Sequence, residues 1–67
     1  MKEEEEMRVL IEKGLQELPP SYREILGLYY FENFSYKEIA DILHIPIGTV
    51  GIRLLRARNE LKKKFPQ

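Results

Sequence analysis

Few residues of this chain are of types that could carry chemistry. His44 is the single histidine and there is no cysteine. Neither a thiolate metal site nor a thiol nucleophile can therefore be assembled. Glu3, Glu4, Glu5 and Glu6 are consecutive, the pattern of a solvated helix start rather than of carboxylates converging on an ion. A different set gathers toward the other end: Thr49, Arg53, Arg56 and Asn59, with Lys37 upstream. These groups supply hydrogen bonds and charge. Arginine and lysine hold phosphates, and an arginine fork can meet guanine O6 and N7 together. The chemistry implied is recognition, with no cofactor, no metal and no enzymatic step.

The charge pattern is compatible with that reading. The net charge of the 67 residues is zero, but the two halves differ. Met1 to Asn33 holds four basic and eight acidic residues, whereas Phe34 to Gln67 holds seven basic and three acidic. From Val50 onward there are six basic residues and only Glu60. Such a chain can turn a positive face to a nucleic acid while its acidic half points away. The alternative is that both runs simply solvate helix faces, so the charge needs a motif beside it.

The elements that position these residues follow from length and punctuation. A chain of 67 residues is expected to form one domain, 1–67, with its core between about Met7 and Leu61. A domain of this size buries only ~60% of the surface its unfolded chain exposes, which leaves no room for a deep cleft. No apolar run approaches the ~20 residues of a membrane span, and the acidic N-terminus is not a secretory signal. A cytoplasmic location and no membrane contact are the expectations.

Pro19-Pro20, Glu32-Asn33-Phe34-Ser35 and His44-Ile45-Pro46 divide the chain into four helical segments. The first is expected from about Glu3 to Glu17, with Met7, Leu10, Ile11, Leu15 and Leu18 in one apolar stripe. Gly14 should fray or bend its end. The second begins at Pro20 or Ser21, with Ser21-x-x-Glu24 as a capping box. It is the most apolar segment and is expected to be central, touching the other three. Ser35 and Glu38 predict a second capping box, opening a third helix whose inner face is Tyr36, Ile39, Ala40 and Leu43. The fourth runs from Pro46 or Ile47 to Phe65, with Pro66 marking its end. No stretch alternates with the period of a strand. The fold class is all-α: a compact four-helix domain with a C-terminal helix-turn-helix.

The stretch from Ser35 to Val50 has helix-turn-helix spacing. Ala40 is small where two helices must cross. Ile39 and Leu43 face the core, Ile45 plugs the turn into it, and Val50 packs back toward Ala40. An ordinary helical hairpin shares the alternation, but not the Ala40–Ile45–Val50 spacing. His44 occupies a turn position that often takes a left-handed conformation.

The motif sits within a longer ordered set: Leu18 to Leu26, Tyr29 to Ala40, and Ile45 to Val50 followed by Arg53-Leu54 and Arg56-Ala57-Arg58. In that order they resemble region 4 of the extracytoplasmic-function sigma factors, over about Met7 to Leu61. The resemblance implies a four-helix domain that reads the −35 element of double-stranded promoter DNA. It also implies contact with the flap of the RNA polymerase β subunit and, frequently, capture by an anti-sigma factor. A monomer is the slightly favoured state. Nothing in the chain resembles region 2, so it should not direct initiation by itself.

At about 100° per residue, Val50, Leu54, Ala57 and Leu61 share the inner stripe of the fourth helix. Gly51, Ile52, Leu55, Arg56, Asn59 and Lys63 fall on or beside the opposite face, and Arg53 and Arg58 flank the stripe. The resemblance sends the outward face into the major groove. Arg56 is then the candidate for a base edge or phosphate, Arg53 for the backbone, Thr49 and the helix N-terminus for a phosphate, and Lys37 for a second backbone contact. Arg58 can equally pair with an acidic residue on another helix, and Lys62, Lys63 and Lys64 suit the negative end of the helix dipole. Where family members usually carry a basic or polar residue followed by serine, this chain has Gly51 and Ile52. Ile52 and Leu55 can touch a thymine methyl but form no hydrogen bond. The competing account is a protein-interaction module of the same fold, binding an anti-sigma factor or itself, with weakened DNA contacts.

Overall fold

The computed structural model describes residues 2 to 65, and among these every regular element is helical. The elements are α1 (Lys2–Gly14), a tight 3-10 turn (Leu15–Glu17), α2 (Pro20–Leu26) continued by a wider π turn (Gly27–Phe31), α3 (Tyr36–Leu43) and α4 (Ile47–Lys64). Helix α4 ends at Lys64 with Phe65 as its C-cap, one residue before the expected end, and Pro66, expected to mark the stop, lies outside the described residues. None of the described helices is long and apolar enough to cross a membrane.

Helix α1 carries three glutamates in its first turn, where they meet the positive end of the helix dipole. Met7, Leu10 and Ile11 are buried at helical spacing, and Leu18 joins them beyond the helix. Leu15, expected in the same stripe, is only partly buried. The helix does not run on to Glu17. It stops at Gly14 and tightens into the 3-10 turn. Gly14 is a close-approach position: a Cβ there would collide with the Phe65 ring and come within 3.1 Å of Leu61 Cδ2. The end of α4 thus lies directly on the glycine.

The second segment departs from expectation twice. Pro19 is the N-cap and Pro20 the first helical residue, so Ser21 sits one position inside the helix. Its hydroxyl is past the place from which it could cap, and the Ser21–Glu24 box is not formed. The helix instead opens with the Tyr22 and Arg23 amides bonded to the Pro19 carbonyl, at 3.0 and 3.1 Å. The segment does touch the other three, packing on α4 and, through its π turn, meeting α3 and Arg8 of α1, but it is not the principal hub. The hub is the 18-residue α4, which packs against α1, α2 and α3. Val50, Leu54, Ala57 and Leu61 are fully buried along it, as the helical spacing predicts.

The π turn was not anticipated. Glu32 N–H reaches back five residues to the Gly27 carbonyl at 3.0 Å, and Asn33 turns the chain with φ 61°. Arg8 of α1 donates through Nε to the Tyr30 carbonyl at 3.1 Å, satisfying one of the acceptors left open at this helix end. Gly27 itself has helical angles, φ −62° and ψ −45°, and a Cβ there meets open space. Gly27→Ala should therefore stabilise the domain by about 0.5–1 kcal/mol, through helix propensity and a less flexible unfolded chain. A rise in the urea midpoint at constant slope would verify this, whereas a fall would mean that the π turn depends on glycine.

The Ser35–Glu38 box forms as predicted. Glu38 N–H donates to Ser35 Oγ at 3.1 Å, and Ser35 N–H donates to Glu38 Oε1 at 2.9 Å. It pins the start of α3 at Tyr36, whose side chain consequently sits at the rim rather than on the inner face. Tyr36 is exposed, edge-on to Tyr29 at 5.6 Å between ring centroids. Ile39 and Ala40 form the buried part of that face, and Leu43 packs at its margin.

Candidate nucleic-acid interface

The turn between α3 and α4 sets the angle of everything beyond it. His44 closes α3 in the left-handed region, φ 56° and ψ 47°. That reversal lets Ile45 N–H bond to the Ala40 carbonyl at 3.1 Å and brings the Ile45 side chain against the core. Ala40 and Ala57 are buried and small, so backbones can approach closely around α4. Val50, four residues into α4, is fully buried. These anchors leave the N-terminal half of α4 standing clear on its other side.

Four of the sequence candidates come together there. Ile52, Leu55, Arg56 and Asn59 are exposed on the face of α4 opposite its buried stripe. Arg53 and Thr49 are half-buried at one border, and Lys37 is exposed near the start of α3. Among the described residues Lys37, Arg53 and Arg56 make no ion pair, while Lys63 pairs with Glu60 at 3.7 Å. Neither described cavity, the larger of about 480 Å³, is lined by any candidate. The candidate face is therefore a protruding ridge rather than a cleft, which suits insertion into a groove.

Three placements differ from the sequence reading. Gly51 is half-buried at the rim, where a Cβ would lie an ordinary 3.5 Å from Tyr36 Cε2, so it does not head the outward face. Gly48 does lie on that face, one turn before Ile52, and a Cβ there meets open space. The same four-residue spacing in the sequence was a sufficient signal for it. At the mouth of α4, Thr49 N–H is bonded to the Pro46 carbonyl at 2.9 Å. The amides of Ile47 and Gly48, which have no partner within the helix, are the ones left to face an anion, with the Thr49 hydroxyl beside them.

Arg58 finds neither an acidic partner nor an outward role. Its Nη1 donates to the Tyr30 hydroxyl at 3.0 Å, clamping α4 to the π turn. Burial is the largest single influence and works against its charge, but the hydrogen bonding and electrostatic attraction of Tyr30 and Tyr36 together hold the guanidinium above its ordinary value. Burial likewise pushes the Tyr29 phenol up, with Tyr36 and Glu4 adding to the effect. Tyr29 therefore stays neutral at physiological pH and adds no negative charge beside the basic helix. No local pattern announces the Arg58–Tyr30 pair, because the two residues are 28 positions apart.

Residues 8–61 match the family model described as Sigma-70, region 4. The chain is 39% identical over 60 residues to the ECF RNA polymerase sigma factor SigW of Bacillus subtilis (strain 168), covering 90% of this chain and 32% of that protein. It is 37% identical over 59 residues to the RNA polymerase sigma-H factor of Pseudomonas aeruginosa, covering 88% of this chain and 31% of that protein. It is also 37% identical over 60 residues to the ECF RNA polymerase sigma-E factor of Escherichia coli (strain K12), covering 90% and 31%. The chain thus spans about a third of the length of these relatives. No solved structure matches it at a significant level. With the family model matched over residues 8–61, across all four helices and the turn that His44 closes, the chain belongs to the sigma-70 region 4 family.

Proposed function

We propose that this domain recognises the promoter −35 element by placing the outward face of α4 in the major groove. As a sigma region 4 domain, it is a promoter-recognition module of transcription initiation and not an enzyme. The observation that supports the reading most is the ridge itself: an exposed stretch of α4 with Arg56 and Asn59 free beside a basic border, held out by a buried helix-turn-helix core. Arg56 meets a base edge or phosphate. Arg53 and Lys37 grip the backbone, and the amides of Ile47 and Gly48 with the Thr49 hydroxyl hold a phosphate at the helix N-terminus. RNA polymerase, through the β flap, is the protein partner, an anti-sigma factor is the expected antagonist, and the domain acts in the cytoplasm as a monomer and a single unit.

One observation favours a second reading. Ile52 and Leu55 are each 53% exposed on this ridge, and paired apolar side chains bordered by polar ones also mark protein-docking surfaces. Amide NMR of labelled protein, titrated with a −35-type duplex and a scrambled duplex at low and moderate salt, decides between them. The DNA reading expects shifts between Thr49 and Asn59 that distinguish the two duplexes and a steep loss of affinity with salt. Equal weak responses would refute it and direct the ridge to polymerase-flap and anti-sigma fragments.

A further inference from the structure

We infer that Ile52 and Leu55 read thymine methyl groups, so that the DNA element preferred by this chain carries thymines at neighbouring base pairs beneath α4. The inference rests on the reading that this ridge enters the major groove, and it names what the ridge recognises there.

Both side chains are 53% exposed and stand three residues apart on one face of the helix. Their separation along the axis is about 4.5 Å, close to the ~3.4 Å spacing of successive base pairs. Each can therefore meet a different, adjacent pair. In the major groove the C5-methyl of thymine is the one projecting apolar group, since cytosine offers only a C5–H there and the other base-edge groups are donors and acceptors. An isoleucine or leucine pressed against any other edge desolvates donors and acceptors and returns nothing. The approach is unobstructed, because Gly48 offers no side chain one turn ahead of Ile52 and a Cβ there would meet open space. Arg56 and Asn59 on the same face and Arg53 at its border give the apolar pair a cationic, hydrogen-bonding frame. Of the basic residues from Val50 onward, Arg53 and Arg56 are the two beside this pair, and neither makes an ion pair among the described residues. That frame complements a polyanion better than the apolar surface of another protein.

Deoxyuridine isolates the methyl, since it keeps every pairing and hydrogen-bonding group of thymine. The experiment selects duplexes from a random pool with the 67-residue chain. It then replaces each thymine of the selected element singly by deoxyuridine and measures affinity for the wild type, Ile52→Ser and Leu55→Ser. Both residues are exposed, and amide spectra check that each variant is folded. The wild type should lose about four-fold in affinity at each thymine under α4, the effect of one buried methyl. Ile52→Ser should abolish that sensitivity at one position and Leu55→Ser at its neighbour, a coupling that independent contacts do not show. A selected element lacking thymine at such positions, or one indifferent to deoxyuridine, overturns methyl reading while leaving −35 recognition in place. If no sequence is enriched, both fall. The same result together with loss of association of Ile52→Ser with a second copy or a polymerase-flap fragment assigns the ridge to protein docking.

Discussion

Leu54→Ala is expected to remove most of the stability of this domain. Leu54 is fully buried in the middle of α4, the helix against which α1, α2 and α3 all pack. Truncating such a leucine costs about 2–5 kcal/mol, combining lost transfer energy with the cavity left behind. A chain of this length holds in total roughly 3–10 kcal/mol, at ~0.05–0.15 kcal/mol per residue. Half or more of the margin would go. Urea denaturation should show a large drop in midpoint with little change in slope. Leu55→Ala, one residue further on, tests the faces of α4 directly. Leu55 is 53% exposed, so its truncation should move stability by no more than about 0.5 kcal/mol. Equal losses at the two positions would mean that the assignment of buried and outward faces is wrong.

Arg56→Ala should weaken binding to the preferred duplex by about ten- to a hundred-fold, the range for one good arginine contact to a base. Arg56 is exposed on the ridge and makes no ion pair among the described residues, so the change should leave the fold untouched. Affinities for single-base variants of the element, measured over a series of salt concentrations, separate the two roles open to it. A base-edge contact relaxes the preference at one base pair. A phosphate contact weakens all sequences alike and reduces the slope of log K against log salt by about one. Lys63→Ala is the comparison, because Lys63 already pairs with Glu60 at 3.7 Å and should matter little. Unchanged affinity in Arg56→Ala would remove Arg56 from DNA recognition.

What was legible in the sequence is whatever depends on neighbours within about one helical turn. The four helices, the Ser35–Glu38 box, the left-handed His44 and the Val50–Leu54–Ala57–Leu61 stripe all follow from side chains three or four positions apart. Membership of the sigma region 4 family was readable on the same ground, because its ordered segments are local patterns. The outward set of Ile52, Leu55, Arg56 and Asn59 follows as the complement of the buried stripe.

Tertiary packing decided the rest. Ser21 and Ser35 have the same local signature, yet only Ser35 caps, since Pro20 can take the first helical position and moves the cap to Pro19. The most apolar segment touches the other three as expected, yet the principal hub is the longer α4, because reach as well as hydrophobicity determines which helix is central. Gly14 reads locally as a helix weakness, and only the fold shows Phe65 and Leu61 lying against it. Arg58 reads as one more surface charge, and only the fold brings it to the Tyr30 hydroxyl. For Gly14 and Arg58 the deciding contact joins residues far apart in the chain and no periodicity encodes it, whereas the cap at Ser21 was lost to its own neighbour Pro20.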